Sequence, residues 1–165
     1  MGLLAAFQAT LLRAAPAAMA VRYRFGYDPF TNSVTGAEWV LVPFGGNRYS
    51  YGNAVANAGP GLLGLYQQGA FMNREAFRLA VGPGTFRPRV HVNEPYSNHP
   101  ESFSVNDLQN PQLPYFDPGP SYGYHTAIVV DLPLVTVGQE GGVDFVVWSQ
   151  TSNGAVLSGV EFLPV

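Results

Sequence analysis

The sequence predicts an all-β protein, an antiparallel β-sandwich with the jelly roll as the preferred form and an immunoglobulin-like sandwich as the alternative. Three observations carry this. Short apolar or alternating runs rich in Val, Ile, Tyr and Phe recur along the chain. Clusters of Gly, Pro and Asn punctuate them. Only the first stretch shows clear helical spacing. At 165 residues the chain suits one domain with a sizeable core. The organisation read from this is an apolar arm over residues 1–20, then a single sandwich over 21–165 with a long irregular loop at 93–123.

In the arm, MGLLAAFQATLLRAAPAAMA, residues Leu3, Leu4, Phe7 and Leu11 share one helical face and Pro16 stops the helix. Ala18-Met19-Ala20 also resembles a secretory cleavage site, but no positive charge precedes the apolar run and Arg13 interrupts it. The run is too broken for a membrane span. From Val21 the period becomes two: Val21, Tyr23 and Phe25 alternate with Arg22 and Arg24. Glu38 to Phe44 reads as a second strand, and Arg48 to Tyr51 follows a Gly-Gly-Asn turn. Gly52 to Asn73 reads either as a short helix or as an irregular crossover. Phe77, Leu79 and Val81 suggest a strand, as do Phe86, Pro88, Val90 and Val92, where Pro88 implies an edge or a bulge. The loop at 93–123 holds Tyr96, Phe103, Tyr115, Phe116 and Tyr122, aromatics that can anchor it to a surface. Tyr124 to Leu132 and Leu134 to Val137 read as further strands.

The final stretch, Val143 to Val165, carries Asn153-Gly154 between two apolar runs, the signature of a type I′ hairpin turn. That register sets Trp148 opposite Gly159 and Phe145 opposite Phe162. Both faces of the hairpin are then apolar. One carries Phe145, Val147, Val156, Val160 and Phe162; the other carries Val146, Trp148, Leu157 and Leu163. A half-exposed antiparallel sheet shows one polar face instead. Either the chain covers both faces itself, or one face packs on another subunit.

Composition narrows the function. Charged residues make up 12% of the chain, against about 25% in ordinary proteins. All the basic residues are arginine, which gives up water more readily than lysine and suits interfaces. They form no stripe, and the net charge is −3, which argues against nucleic acid as a partner. The absence of cysteine removes disulfides and thiolate metal sites. There is no Gly-x-Ser-x-Gly elbow and no phosphate loop.

His91, Glu94, His99, Glu101, Asp107, Asp117 and His125 offer nitrogen and oxygen ligands. His91-Val92-Asn93 lacks the second histidine of the cupin-type pair, so a metal-dependent cupin-like enzyme is the third reading, and no cofactor is expected. The second is a secreted carbohydrate-binding module, with Arg48 to Tyr51 and Tyr115 to Tyr124 as the places where rings would stack on sugars. The first is a non-enzymatic assembly protein of a virion, a small capsid or capsid-decorating subunit, partnered by itself as a homo-oligomer and by another capsid protein. Its expected contacts are Leu3, Leu4, Phe7, Leu11, Tyr115, Phe116, Tyr122, Trp148, Leu157 and Leu163.

Overall fold

The computed structural model describes residues 18–50, 52–94 and 98–165. The arm residues Leu3, Leu4, Phe7 and Leu11 lie outside the described residues, as do Tyr51 and Tyr96. The architecture is a β-sandwich. One layer is a seven-stranded sheet built from β1 (Val21–Arg24), β2 (Phe30–Thr31), β3 (Glu38–Leu41), β7 (Gly84–Asn93), β9 (Ala127–Asp131), β10 (Val135–Val137) and β13 (Gly159–Pro164). Its order is β10-β7-β13-β1-β3-β2, with β9 also paired to β7, and all pairs are antiparallel except β1 with β3. Two three-stranded sheets pack against it. One is β6 (Glu75–Leu79), β11 (Val143–Ser149) and β8 (Glu101–Val105); the other is β12 (Ala155–Leu157), β5 (Gln68–Met72) and β4 (Arg48–Ser50). Two short helices, α1 (Leu63–Tyr66) and α2 (Pro118–Tyr122), complete the elements among the described residues.

Alternation explains the core. Tyr23, Phe86, Val90, Val160 and Phe162 from the large sheet meet Val105, Phe145 and Val147 from the smaller ones in one buried cluster. Phe103 stacks on Phe145 with ring centroids 6.0 Å apart, and Phe25 meets Phe77 edge-on at 5.0 Å.

Several expectations are corrected. Asn153-Gly154 does not close a hairpin. β11 pairs with β6 and β8, β12 pairs with β5, and β13 pairs with β1 and β7, so the turn carries the chain from one sheet to another. Gly154 has φ +86° and takes the left-handed position, but Asn153 is not at positive φ, so the type I′ pair is not formed. Gly159 lies under the ring of Trp39, not of Trp148, close enough that a Cβ there would sit 2.8 Å from it.

Loop 93–123 is not irregular throughout. Ser102-Phe103-Ser104-Val105 alternates at period two and forms β8, with Phe103 and Val105 in the core. Pro88 does not mark an edge: β7 is central. Leu132 donates its amide to the Pro88 carbonyl at 2.9 Å, in the gap where β7 changes partner from β10 to β9. The missing N–H of proline falls where no ladder bond is needed. The stretch 52–73, read as helix or crossover, contains β5 as well as α1.

The double-sided apolar character of β11 also has its explanation. Phe145 and Val147 face the core, while Val146 and Trp148 point outward and are still only 1% and 7% exposed. Residues 106–113 fold back as a strap over them. Ser102 Oγ donates to Leu113 O at 2.7 Å, and Ser104 Oγ donates to Asp107 O at 2.7 Å. Trp148 Nε1 donates to Ser104 Oγ at 3.0 Å, and the Arg74 guanidinium sits 4.4 Å from the indole ring. The Gln112 side chain closes the free edge of β8. Val105 N donates to Gln112 Oε1 at 2.9 Å, and Gln112 Nε2 donates to Val105 O at 3.1 Å, which blunts an edge otherwise open to another strand. We expect Gln112→Leu to raise the tendency to aggregate, read as increased light scattering at constant concentration, while thermal stability falls by about 1–2 kcal/mol.

Candidate functional site

The structure spreads the expected contact residues widely. Leu157 is fully buried and Trp148 nearly so within the single chain, which corrects their assignment as docking anchors: the core and the 106–113 strap already cover them. Leu163, Tyr115 and Phe116 are half-buried. Tyr122 alone of the described set is well exposed, at 57%. Of the two regions expected to stack on sugars, the first fails at Tyr49, which is buried with its hydroxyl donating to Asn93 O at 3.0 Å. The second, Tyr115 to Tyr124, forms a defined surface.

That surface grows from α2. Pro118 opens the helix, Gly123 N donates to Gly119 O at 2.8 Å, and Gly123 at φ +95° ends the helix and throws Tyr124 back over it. The Tyr124 ring rests on Gly119, where any Cβ would collide with it. Its hydroxyl donates to Asn98 Oδ1 at 2.8 Å, so a ring that is 46% exposed is fixed at both ends. Tyr122 meets Phe116 edge-on at 6.4 Å, and Phe116 in turn packs on the core residue Phe103 at 6.2 Å. The neighbouring loop 52–58 is stitched alongside: Ala56 N donates to His125 O and Ala127 N donates to Ala56 O, each at 2.8 Å. The rim formed by 52–58, 98–100 and 118–126 holds exposed Asn53, Asn57, Asn98 and Ser121, and contains no Asp, Glu, Arg or Lys. Two tyrosine faces therefore stand in an uncharged, amide-rich border.

Beneath it lie Glu94, His99 and Glu101, all buried, with Asp117 half-buried beside them. His99 Nδ1 contacts Glu94 Oε2, and His99 N donates to Asp117 Oδ1 at 3.2 Å. Glu101 Oε2 accepts the Val156 amide at 2.6 Å. Burial pushes the Glu101 acid well above the usual carboxylate range. The Val156 bond pulls it down, and the charges of Glu94 and Asp117 push it up again. The fold thus gathers four of the seven residues considered as metal ligands, yet among the described residues no group of three or more His, Asp or Glu is arranged to hold a metal ion. Asp107 is in the strap, where its Oδ1 accepts the amides of Gln109 and Asn110, each at 2.9 Å.

His91 belongs to a different cluster on the outer face of the large sheet. Tyr66 Oη and His91 Nδ1 are 2.7 Å apart, and His91 Nε2 lies 3.2 Å from Glu161 Oε1. Arg22 Nε donates to Glu161 Oε2 at 3.1 Å. Burial raises the Glu161 acid, but the His91 hydrogen bond and the charges of His91, Arg22 and Arg89 outweigh it, and the net shift is downward. Trp39 stands edge-on to the His91 ring at 5.0 Å and closes the cluster. This is a covered polar seam that ties α1 to the sheet.

No family model matches the sequence, and no curated protein does. Among solved structures, the chain is similar to a Bacteroides uniformis β-glucuronidase, at 15% identity and TM-score 0.69, over 89% of this chain and 18% of that one. It is also similar to the ANXUR2 extracellular domain from Arabidopsis thaliana, at 12% identity and TM-score 0.65, over 86% of this chain and 47% of that one. The chain therefore spans less than half of either. At these identities the likeness concerns the fold alone: a β-sandwich that recurs as one part of larger proteins.

Proposed function

We propose that this chain is a non-enzymatic recognition module whose Tyr122–Tyr124 surface binds an uncharged glycan. The observation that carries the reading is a pair of exposed tyrosine rings held rigid by Gly119, Asn98 and Phe116 within a rim of amides. Aromatic faces pack on the apolar faces of sugar rings, and asparagine amides exchange hydrogen bonds with hydroxyls. A preordered ring loses little entropy on binding. An extracellular setting accompanies this reading, supported by the fold's occurrence in the ANXUR2 extracellular domain. A glycan array followed by titration tests it. Tyr124→Ala and Tyr122→Ala should each weaken binding about tenfold or more, equivalent to roughly 1.4 kcal/mol. Gly119→Ala should weaken it by displacing the Tyr124 ring. Absence of any glycan signal, or alanine variants that bind like wild type, defeats the proposal.

One observation favours the assembly reading, in which the chain is a capsid or capsid-decorating subunit of a virion and associates with itself or another capsid protein. Between residues 40–43 and β6 runs a groove of about 500 Å3 lined by Tyr23, Val40, Val42, Pro43, Ala76 and Phe77, and Val40 is 56% exposed. Exposed apolar surface of this kind suits a protein contact. Sedimentation across a concentration series, comparing wild type with Val40→Lys, tests it: self-association lost in the variant supports this reading, and a wild-type monomer at all concentrations removes it.

A further inference from the structure

Glu101 is the first residue of β8 and the root of the tyrosine surface. Its amide donates to Phe116 O at 2.8 Å, and Phe116 N donates back to Glu101 O at 3.0 Å, so the strand end and the 116–124 loop share a two-bond bridge. Its side chain is wholly covered. Oε2 is engaged by the Val156 amide, while Oε1 accepts no hydrogen bond from the described residues. The charges that act on it are those of Glu94 and Asp117, while β11 sets the uncharged Ser149 opposite it. Glu94 follows β7, and its carbonyl also takes the His125 amide at 2.9 Å. Asp117 precedes α2, and His99 links the two by its ring contact to Glu94 and its amide bond to Asp117. β12 presents no charged side chain, and β5 contributes the Phe71 ring, 5.3 Å from that of His99.

We propose that Glu101 is a proton-operated latch on the tyrosine surface: as the neutral acid it lets the 116–124 loop seat, and as a carboxylate it loosens that loop. The physical basis is charge crowding. Ionised Glu101 would add a negative charge beside Glu94 and Asp117 in a covered space, with a single amide to stabilise it. Two responses relieve the repulsion, admission of water or retreat of a neighbouring element. Asp117 is half-buried on an exposed element, the loop that bears the tyrosines. Its bridge to β8 runs through Glu101 itself, so the retreat is transmitted directly to Phe116 and the rings beyond it. Burial acting on a carboxyl group of this kind raises the pH at which the change occurs. The consequence for affinity rests on the glycan reading: binding would weaken as pH rises through the Glu101 titration.

The latch itself can be read without any ligand. Carbon-13 carboxyl NMR follows Glu101 in the wild-type chain, and hydrogen exchange of the Glu101 and Phe116 amides is measured between about pH 5 and pH 9, corrected for intrinsic exchange. We expect the Glu101 carboxyl to be neutral below its raised titration point. Protection of both amides should then fall up to about tenfold per pH unit above that point. In Glu101→Gln, which keeps an acceptor for Val156 and never ionises, protection stays level. Ionisation of Glu101 in the usual carboxylate range overturns the proposal, as does a parallel loss of protection in wild type and Glu101→Gln. Should the variant fail to fold, the wild-type carboxyl titration, read against the two amides, decides alone. Because no glycan enters the measurement, failure of glycan binding leaves this result standing.

Discussion

Trp148→Ala is expected to destabilise the isolated chain by about 3–5 kcal/mol without changing its mass in solution. The indole is 7% exposed and is held by Ser104 Oγ, by the Arg74 guanidinium and by the 106–113 strap. Its removal forfeits ring burial, one hydrogen bond and the cation–π contact, and leaves the strap only Val146 to cover. Denaturant unfolding gives the loss, and sedimentation gives the mass. A stable, folded variant that dissociates from a wild-type oligomer would show that the ring serves a neighbouring subunit.

Glu161→Ala should cost about 2–4 kcal/mol at neutral pH, because it strands the Arg22 guanidinium and His91 Nε2 beside an emptied, largely covered site. The pH dependence follows from the direction of the shift. The Glu161 acid is held below the ordinary carboxylate range in the folded chain. Its contribution is therefore fully present above the unfolded-state value near 4.3 and is lost as pH falls through the lower, folded value. Glu101 has the opposite sign: its folded acid is raised, so stability is highest below its unfolded value and drains away as pH rises through the folded one. Wild type should show a stability maximum between the two. Glu161→Gln should lose the acid limb of that profile, and Glu101→Gln the alkaline limb. Thermal midpoints measured across pH would refute the scheme if either variant kept the limb assigned to the replaced carboxylate.

The sandwich was legible because period-two alternation and Gly/Pro punctuation are local signals. The partners of each strand were not. Asn153-Gly154 carries the composition of a hairpin turn, yet the segments on either side join different sheets and do not pair with each other. The apolar outer face of β11 correctly announced a need for cover. What residue patterns could not disclose was that Ser102 and Ser104 fasten the chain's own 106–113 strap across it. The site was partly visible. The Tyr115 to Tyr124 region stood out by its aromatics, while the support from Asn98 and Gly119 depends on contacts between loops far apart in sequence or folded back by an unusual backbone angle. The Glu94, His99, Glu101 and Asp117 cluster was scattered among many acids and took shape only when β8 formed.

β13 lies between β1 and β7 in the large sheet, although it follows both in chain order. During synthesis, therefore, β1 and β7 have no common partner until residues 159–164 have left the ribosome. A nascent chain lacking them offers two unpaired edges to any passing strand, so closure of this sheet waits on β13 and the interval invites chaperone protection.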